Sequence, residues 1–579
     1  MKMYREIVCL FVFNAFVSIY GVAQDDGHIT LQGIVRDNET KEGLAGASIR
    51  ISGSSIGTHS DLSGRFSLGI SKPNRDDSLI VTFVGYKKYS EALSNLTSST
   101  GLQIINMTNQ LTSLKEVVVR SEFWLKQYSP KDLMEDYTKF YTIMEKVHTG
   151  LFNYLSEREW QALKDSSLQL IKYPMTHSEF YQLIALHVGK VRNIHTRYGV
   201  TDWWIKQKQN IFPFKVKYFD DRLYISESLL KDQAFPKGCE ILEINGKTPG
   251  EIKTMIWPYI PADGFIQTSK IADLSDYFSW YFSMFVEEAD SYKIKIRTLT
   301  GEEETITTQG LRDSFRHLIF QQEWNEKKSS LELKINGTSH TAYFRIEDSR
   351  IFKDSLQTYF QRIVSQGIQY LIIDLRGRGG IREGEQVAEL YSYLVDKPFR
   401  AYEKLEVKSN DYTLFDKDFT YKPYANSLRE IKEQFFDKLI DSDDGYYLWQ
   451  EESMKKLSQP ASLHFTGAVY ILTDGRNYSA STSFTSLASQ LDNVFVIGEE
   501  TGGEYRSYVS GAMFGLVLPN SKIGIKIATW KSILDIEEKP SNRGRGVIPD
   551  YPVPFSIHDF INGTDVVKEF AYKLISTNR

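Results

Sequence analysis

Ser479 is the residue whose setting could do covalent chemistry. It follows the apolar run GAVYILTD, residues 467–474, and the turn Asp474-Gly475-Arg476-Asn477. It opens a helical pattern in which Phe484, Leu487, Ala488 and Leu491 recur at i, i+3, i+4 and i+7. A helix start carries unpaired N–H groups and a positive partial charge. A serine there can attack a carbonyl and leave the developing oxyanion against the next amide, here that of Ala480. The same position also suits a plain N-cap serine. Ser481 is the other serine at this junction.

A second feature is the glycine loop Gly377-Arg378-Gly379-Gly380, which ends the apolar run IQYLIIDL. Gly380 has no side chain to obstruct a peptide, so its N–H could complete an oxyanion hole with Ala480. The loop lacks the GKS/T ending of a P-loop and the GxGxxG of a dinucleotide turn. Two histidines stand near a third feature, the helical pattern of residues 176–191. Phe180, Leu183, Ile184, His187, Val188 and Val191 share one face, so His187 reads as a core histidine. Thr176 and Glu179 form the capping-box spacing that starts this helix. His195 lies past its end, in a loop that leads into a strand, where an imidazole is free to act.

These residues need a scaffold. From about residue 338 strand and helix patterns alternate, which means a parallel sheet covered by helices. Residues 402 to about 455 read as a polar and aromatic insertion, a lid or substrate-facing loop. Before this part come β signals over 211–310, including an Asn245-Gly246 turn, and helical patterns over 121–210. Short alternating strands with regular turns over 25–120 indicate a β-sandwich. The first 24 residues have a charged start with Lys2 and Arg5, an apolar stretch and Gly21-Val22-Ala23-Gln24. That is the pattern of a signal peptide, so the chain is expected to be exported, to the periplasm or cell envelope. Peripheral association with the outer membrane stays open.

The whole chain has 579 residues, 41% hydrophobic and 25% charged, with a formal net charge of -5. This excludes disorder and gives no basic excess for nucleic acid. Only Cys9 and Cys239 are present, and Cys9 lies inside the signal segment. No internal disulfide or Cys-based zinc site is expected in the mature chain, and no metal or organic cofactor is implied.

Two resemblances add to this reading. The order GxVxDxxTxxxLxGAxIxIxG followed by VTFVGY, from Gly33 to Tyr86, resembles the carboxypeptidase-regulatory-like domain of exported Bacteroidetes proteins. The order IIDLRGRGG, RNYSASTSF, VFVIGEETGG and GRGVIPDYPV resembles the C-terminal processing, or tail-specific, serine peptidase family. KGCEILEINGKTPGEI resembles a stretch of the PDZ-type module that this family carries. The implied fold is a multidomain α/β chain. It would have an N-terminal β-sandwich, a helical segment, a PDZ-like domain and a crotonase- or Clp-like α/β catalytic domain over 311–579.

The family resemblance implies Ser479 as nucleophile and unfolded or C-terminally exposed polypeptides as substrates. Where many members have a lysine base this chain has Glu504. It therefore looks more like the tricorn-core branch, whose base is a histidine in the place of His195. Glu504 is then the candidate that orients the ring, with Glu537 and Glu538 as alternatives, since the tricorn-type Glu before GVxPD is Arg543 here. A carboxylate beside His195 would raise its pKa above about 6.5 and place the activity limb near pH 6–8. The departures also leave a rival reading, a catalytically inactive peptide- or ligand-binding envelope protein on the same scaffold.

Overall fold

The computed structural model describes residues 28–577 apart from internal stretches. The longest of these are 109–123 and 315–330, and 378–383 lies in the glycine loop. Residues 1–24, expected to be a signal peptide, and Gly380 therefore lie outside the described residues. The chain divides into two compact units, Met1–Val117 and Val118–Arg579.

In the first unit strand His28–Asp37 pairs with Arg65–Ser71 and with Gln103–Met107. A second sheet has the order Gly57–His59, Ser48–Ile51, Ser78–Thr82, Tyr89–Ala92. Side chains alternate across a strand. Accordingly Phe66, Leu68 and Ile70 turn inward while Arg65, Ser67 and Gly69 stay exposed. The inward rows of both sheets, Ile49, Ile51, Leu79 and Val81 among them, meet in one core. This is the two-sheet β-rich unit that the strand and turn signals predict.

The second unit is α/β. Its central sheet has the order Leu331–Asn336, Thr341–Ile346, Tyr370–Asp374, Ala468–Thr473, Val494–Gly498, Tyr551–Pro552. All its pairings after the first are parallel. Strand Tyr370–Asp374 is buried at four of five positions because helices cover both faces, which explains its unbroken apolar run. A second sheet is built on the hairpin Ser507–Val517 and Gly524–Leu534. Strand Arg197–Gly199, which directly follows the His195 loop, pairs with Gly524–Leu534 and anchors the helical segment there.

The stretch read as a lid is partly woven into that second sheet. Tyr402–Val407 pairs with Gly524–Leu534, and Tyr447–Trp449 and Leu439–Asp441 follow outward. Phe415, Phe435 and Trp449 pack with Phe514 and Trp530, so aromatic content there marks core.

Residues 214–309 form a five-stranded antiparallel sheet, with helices Pro249–Ile256, Thr268–Asp276 and Phe278–Phe285 from the same stretch. Its Asn245-Gly246 turn has φ of 49° and 77°, the double positive φ that favours Asn-Gly in tight hairpins. Helix His177–Val191 starts at Thr176, with the capping box to Glu179 complete. His187 is buried on its inner face, where Nδ1 donates to the Leu183 carbonyl at 2.8 Å and Nε2 accepts from the Tyr137 hydroxyl at 2.8 Å. It is a satisfied core histidine. Among the described residues no helix is long and apolar enough to cross a membrane.

Candidate active site

Ser479 stands between strand Ala468–Thr473 and helix Ala480–Ala488, with φ 59° and ψ −133°. A residue with a Cβ adopts this conformation only under strain, of order 1–3 kcal/mol, and such strain gathers at functional sites. The sharp turn is the shape of a nucleophile elbow. Ser479 makes no side-chain cap hydrogen bond to its helix. Ser481 is 2% exposed and sits within the helix.

The turn is held from several sides. Asn477 is fully buried. Its Oδ1 accepts from the Asp474 N–H at 2.6 Å, and its Nδ2 donates to the Leu375 carbonyl at the end of the neighbouring strand. Asp474 accepts from the Arg476 N–H at 2.9 Å and from the Gly377 N–H at 3.1 Å. The elbow and the start of the glycine loop are thus locked together. Arg476 adds a two-pronged pair with Asp276, at 2.8 and 2.7 Å, on helix Thr268–Asp276. Gly475 must lack a side chain, because a Cβ there would lie 2.5 Å from the Thr268 backbone.

The structure brings His195 to this turn across almost 300 residues of sequence. Its ring is edge-on to that of Tyr478 at 5.9 Å and tilted against Tyr508 at 6.2 Å. Its loop is braced on each side. The Ile194 N–H donates to Asp263 Oδ1 at 2.8 Å, and the Thr196 N–H to Asn193 Oδ1 at 2.8 Å. Asn193 Nδ2 donates to the Val509 carbonyl at 2.8 Å, fastening the loop to the second sheet. Thr196 Oγ1 meets His148 Nε2 at 2.8 Å; His148 Nδ1 accepts from the Gly150 N–H, which makes Nε2 the donor.

Burial holds the His195 imidazole down to a pKa of about 3, aided by the charges of Lys526 and Arg197. This corrects the expectation of a raised value: the ring is desolvated, and its Nδ1 has no hydrogen-bond partner among the described residues.

Glu504 is not joined to that ring. Its Oε1 accepts from the Tyr154 hydroxyl and, at 3.4 Å, from the Gly544 N–H. Burial pushes its carboxyl up to about 7, with the nearby Asp263 adding to the rise. Glu537 and Glu538 are both exposed, and Glu538 pairs with Arg506 at 2.9 Å. Ala480 is 2% exposed and opens the helix, where leading N–H groups have no helical acceptor. Asp263, Tyr154, Asp474 and Asn477 were not singled out from sequence; only Asp474 and Asn477 carried a signal, as turn residues.

The parallel sheet with a strained serine elbow at its carboxyl edge defines an α/β protein of serine-hydrolase type. Residues 340–553 match the model of Peptidase family S41, and residues 31–119 match that of the CarboxypepD_reg-like domain. The matched region of the second unit is thus an S41 peptidase domain, of serine-peptidase type, and a CarboxypepD_reg-like domain precedes it in the sequence. No curated protein matches it in sequence. Its fold is similar to that of mature CPAF, with 13% identity, a TM-score of 0.52, and coverage of 77% of this chain and 96% of that one. The structure of mature CPAF complexed with lactacystin gives 14% identity, a TM-score of 0.53, and coverage of 77% and 98%.

Proposed function

We propose that the chain is an exported serine peptidase that cleaves unfolded or C-terminally exposed polypeptides. Ser479 Oγ attacks the scissile carbonyl and His195 takes its proton. The amides of Ala480 and Gly380 receive the oxyanion. The observation that carries this reading is the serine's backbone: φ 59°, ψ −133°, with the hydroxyl not spent on the helix it opens. Residues 1–24 would be removed on export. The five-stranded sheet within 211–310 would act as the PDZ-like module that presents the chain to be cut, ahead of a crotonase-like catalytic domain over 311–579.

The rival reading is a peptide-binding protein that has lost catalysis, and the lack of a bond between Glu504 and His195 favours it. Both readings meet one test. A fluorophosphonate probe reacts with an activated serine, so the wild-type chain should be labelled and Ser479→Ala should not. Labelling of Ser479→Ala but not of Ser481→Ala would move the nucleophile. A wild-type chain that stays unlabelled and hydrolyses no unstructured peptide would establish the rival.

A further inference from the structure

Two buried polar atoms at the His195 loop and its brace have no hydrogen-bond partner among the described residues, each other included: His195 Nδ1 and Asp263 Oδ2. One is able to donate and the other can only accept when ionised. Asp263 is 2% exposed. Its other oxygen, Oδ1, already holds the histidine's loop, accepting from the Ile194 N–H at 2.8 Å and from Asn193 Nδ2 at 3.2 Å. The link is reinforced next door, where the Gly264 N–H donates to the Arg192 carbonyl at 3.1 Å and Arg192 Nη1 donates to the Gly264 carbonyl at 3.3 Å. The backbone N–H of Glu504 also points at Asp263. Glu504's own carboxylate is occupied by Tyr154 and Gly544.

We propose that Asp263, rather than Glu504, is the carboxylate that serves His195, as a positioning residue for the base. This rests on the peptidase reading above. Oδ1 fixes the loop at the residue before the histidine, and Oδ2 receives Nδ1–H when the ring becomes charged. As the bond from Ser479 Oγ to the scissile carbon forms, the serine proton passes to His195 Nε2. The imidazolium then gains as its partner the carboxylate that already holds its loop at Ile194, to which the ring is not bonded in the resting structure. Burial alone raises Asp263 to about 7 in the resting protein, and a neighbouring positive charge draws it back to the ionised form. The stabilisation exists only while the ring is charged, so it belongs to kcat and not to substrate binding.

The test is Asp263→Asn against Glu504→Gln in the full chain. Asparagine keeps an acceptor for Ile194 and Asn193 but has no charge. Asp263→Asn should lower kcat by about a hundredfold or more with KM within about threefold, and Glu504→Gln should lower it by far less. Wild-type kcat in a folded Asp263→Asn variant overturns the proposal, as does an equal or larger loss in Glu504→Gln.

Should Asp263→Asn fail to fold, proton NMR of the fluorophosphonate adduct with nitrogen-15 histidine decides. A downfield Nδ1–H resonance that survives Glu504→Gln supports Asp263, and its disappearance in Glu504→Gln overturns it. A wild-type chain that takes up no probe is a different failure, that of the peptidase reading itself.

Discussion

The serine and threonine helix starts described in the second unit are of two kinds. Ser129, Ser156, Thr176, Thr248 and Ser556 sit at their helix starts with φ between −94° and −69° and ψ between 154° and 166°. Each hydroxyl accepts from the backbone N–H three residues on, and the last four also close a capping box. Ser479 occupies the same formal position with φ 59° and no cap bond. The first kind uses the hydroxyl to satisfy orphan donors of the helix. At Ser479 the chain turns so sharply that the hydroxyl is withheld from them. The N–H groups and the hydroxyl both stay available to something else. Residue type alone does not separate the two kinds; backbone conformation does.

The largest effect that could break this contrast is on activity. Ser479→Ala should abolish peptide hydrolysis, a loss of several orders of magnitude, while Ser156→Ala should leave turnover unchanged. Both are read by initial rates on an unstructured peptide. Comparable rates from the two variants would mean that the sharp turn has no catalytic meaning.

The next effect is acid sensitivity, carried by the buried histidines of the second unit. Burial depresses His148, His177 and His195 to about 3 and His187 to about 4. Their unfolded value is about 6.5. The unfolded chain therefore binds more protons below that value. The stability these groups contribute is fully present above about pH 6.5 and is lost as pH falls toward about 3. The second unit should lose denaturant resistance through this window, as followed by tryptophan fluorescence. His187→Phe should flatten the slope, and a slope unchanged by it would show that the ring is protonated in the folded chain.

Much of this was legible in the sequence, for local reasons. The strand, turn and helix around Ser479 are contiguous, and the Thr176–Glu179 box and the His187 stripe follow from helical spacing. What pairs at long range was not legible. Asp263 meets Ile194 across 69 residues and Tyr154 meets Glu504 across 350. Spacing could place Glu504 in a family's lysine slot, but not show that a tyrosine hydroxyl already occupies it. The stretch after 402 reads from its polar and aromatic composition as a lid or substrate-facing loop. Its aromatic side chains instead pin short strands to the second sheet.

A smaller effect tests the ordinary starts. Ser156→Ala should cost about 1 kcal/mol, since one orphan N–H and the back-bond from Glu159 are lost together. Denaturant midpoints measure it, and no shift would mean that water replaces the cap at no cost.

The last effect is the smallest, and its sign is the informative part. A glycine at an ordinary N-cap loses the side-chain acceptor, so Ser156→Gly should destabilise by a few tenths of a kcal/mol. At Ser479 no cap bond exists to lose. The φ of 59° there is one that glycine adopts without a Cβ clash. Ser479→Gly should therefore stabilise the chain, by up to about 1 kcal/mol, because relief of strain exceeds the extra entropy glycine brings to the unfolded state. The same substitution removes the nucleophile, so stability should rise as hydrolysis disappears. Ser479→Ala, which keeps a Cβ in the strained conformation, should gain no such stability. The comparison of the two midpoints isolates the backbone from the hydroxyl. If Ser479→Gly proves less stable than Ser479→Ala, the turn is not strained at this residue, and withholding the hydroxyl costs the fold nothing.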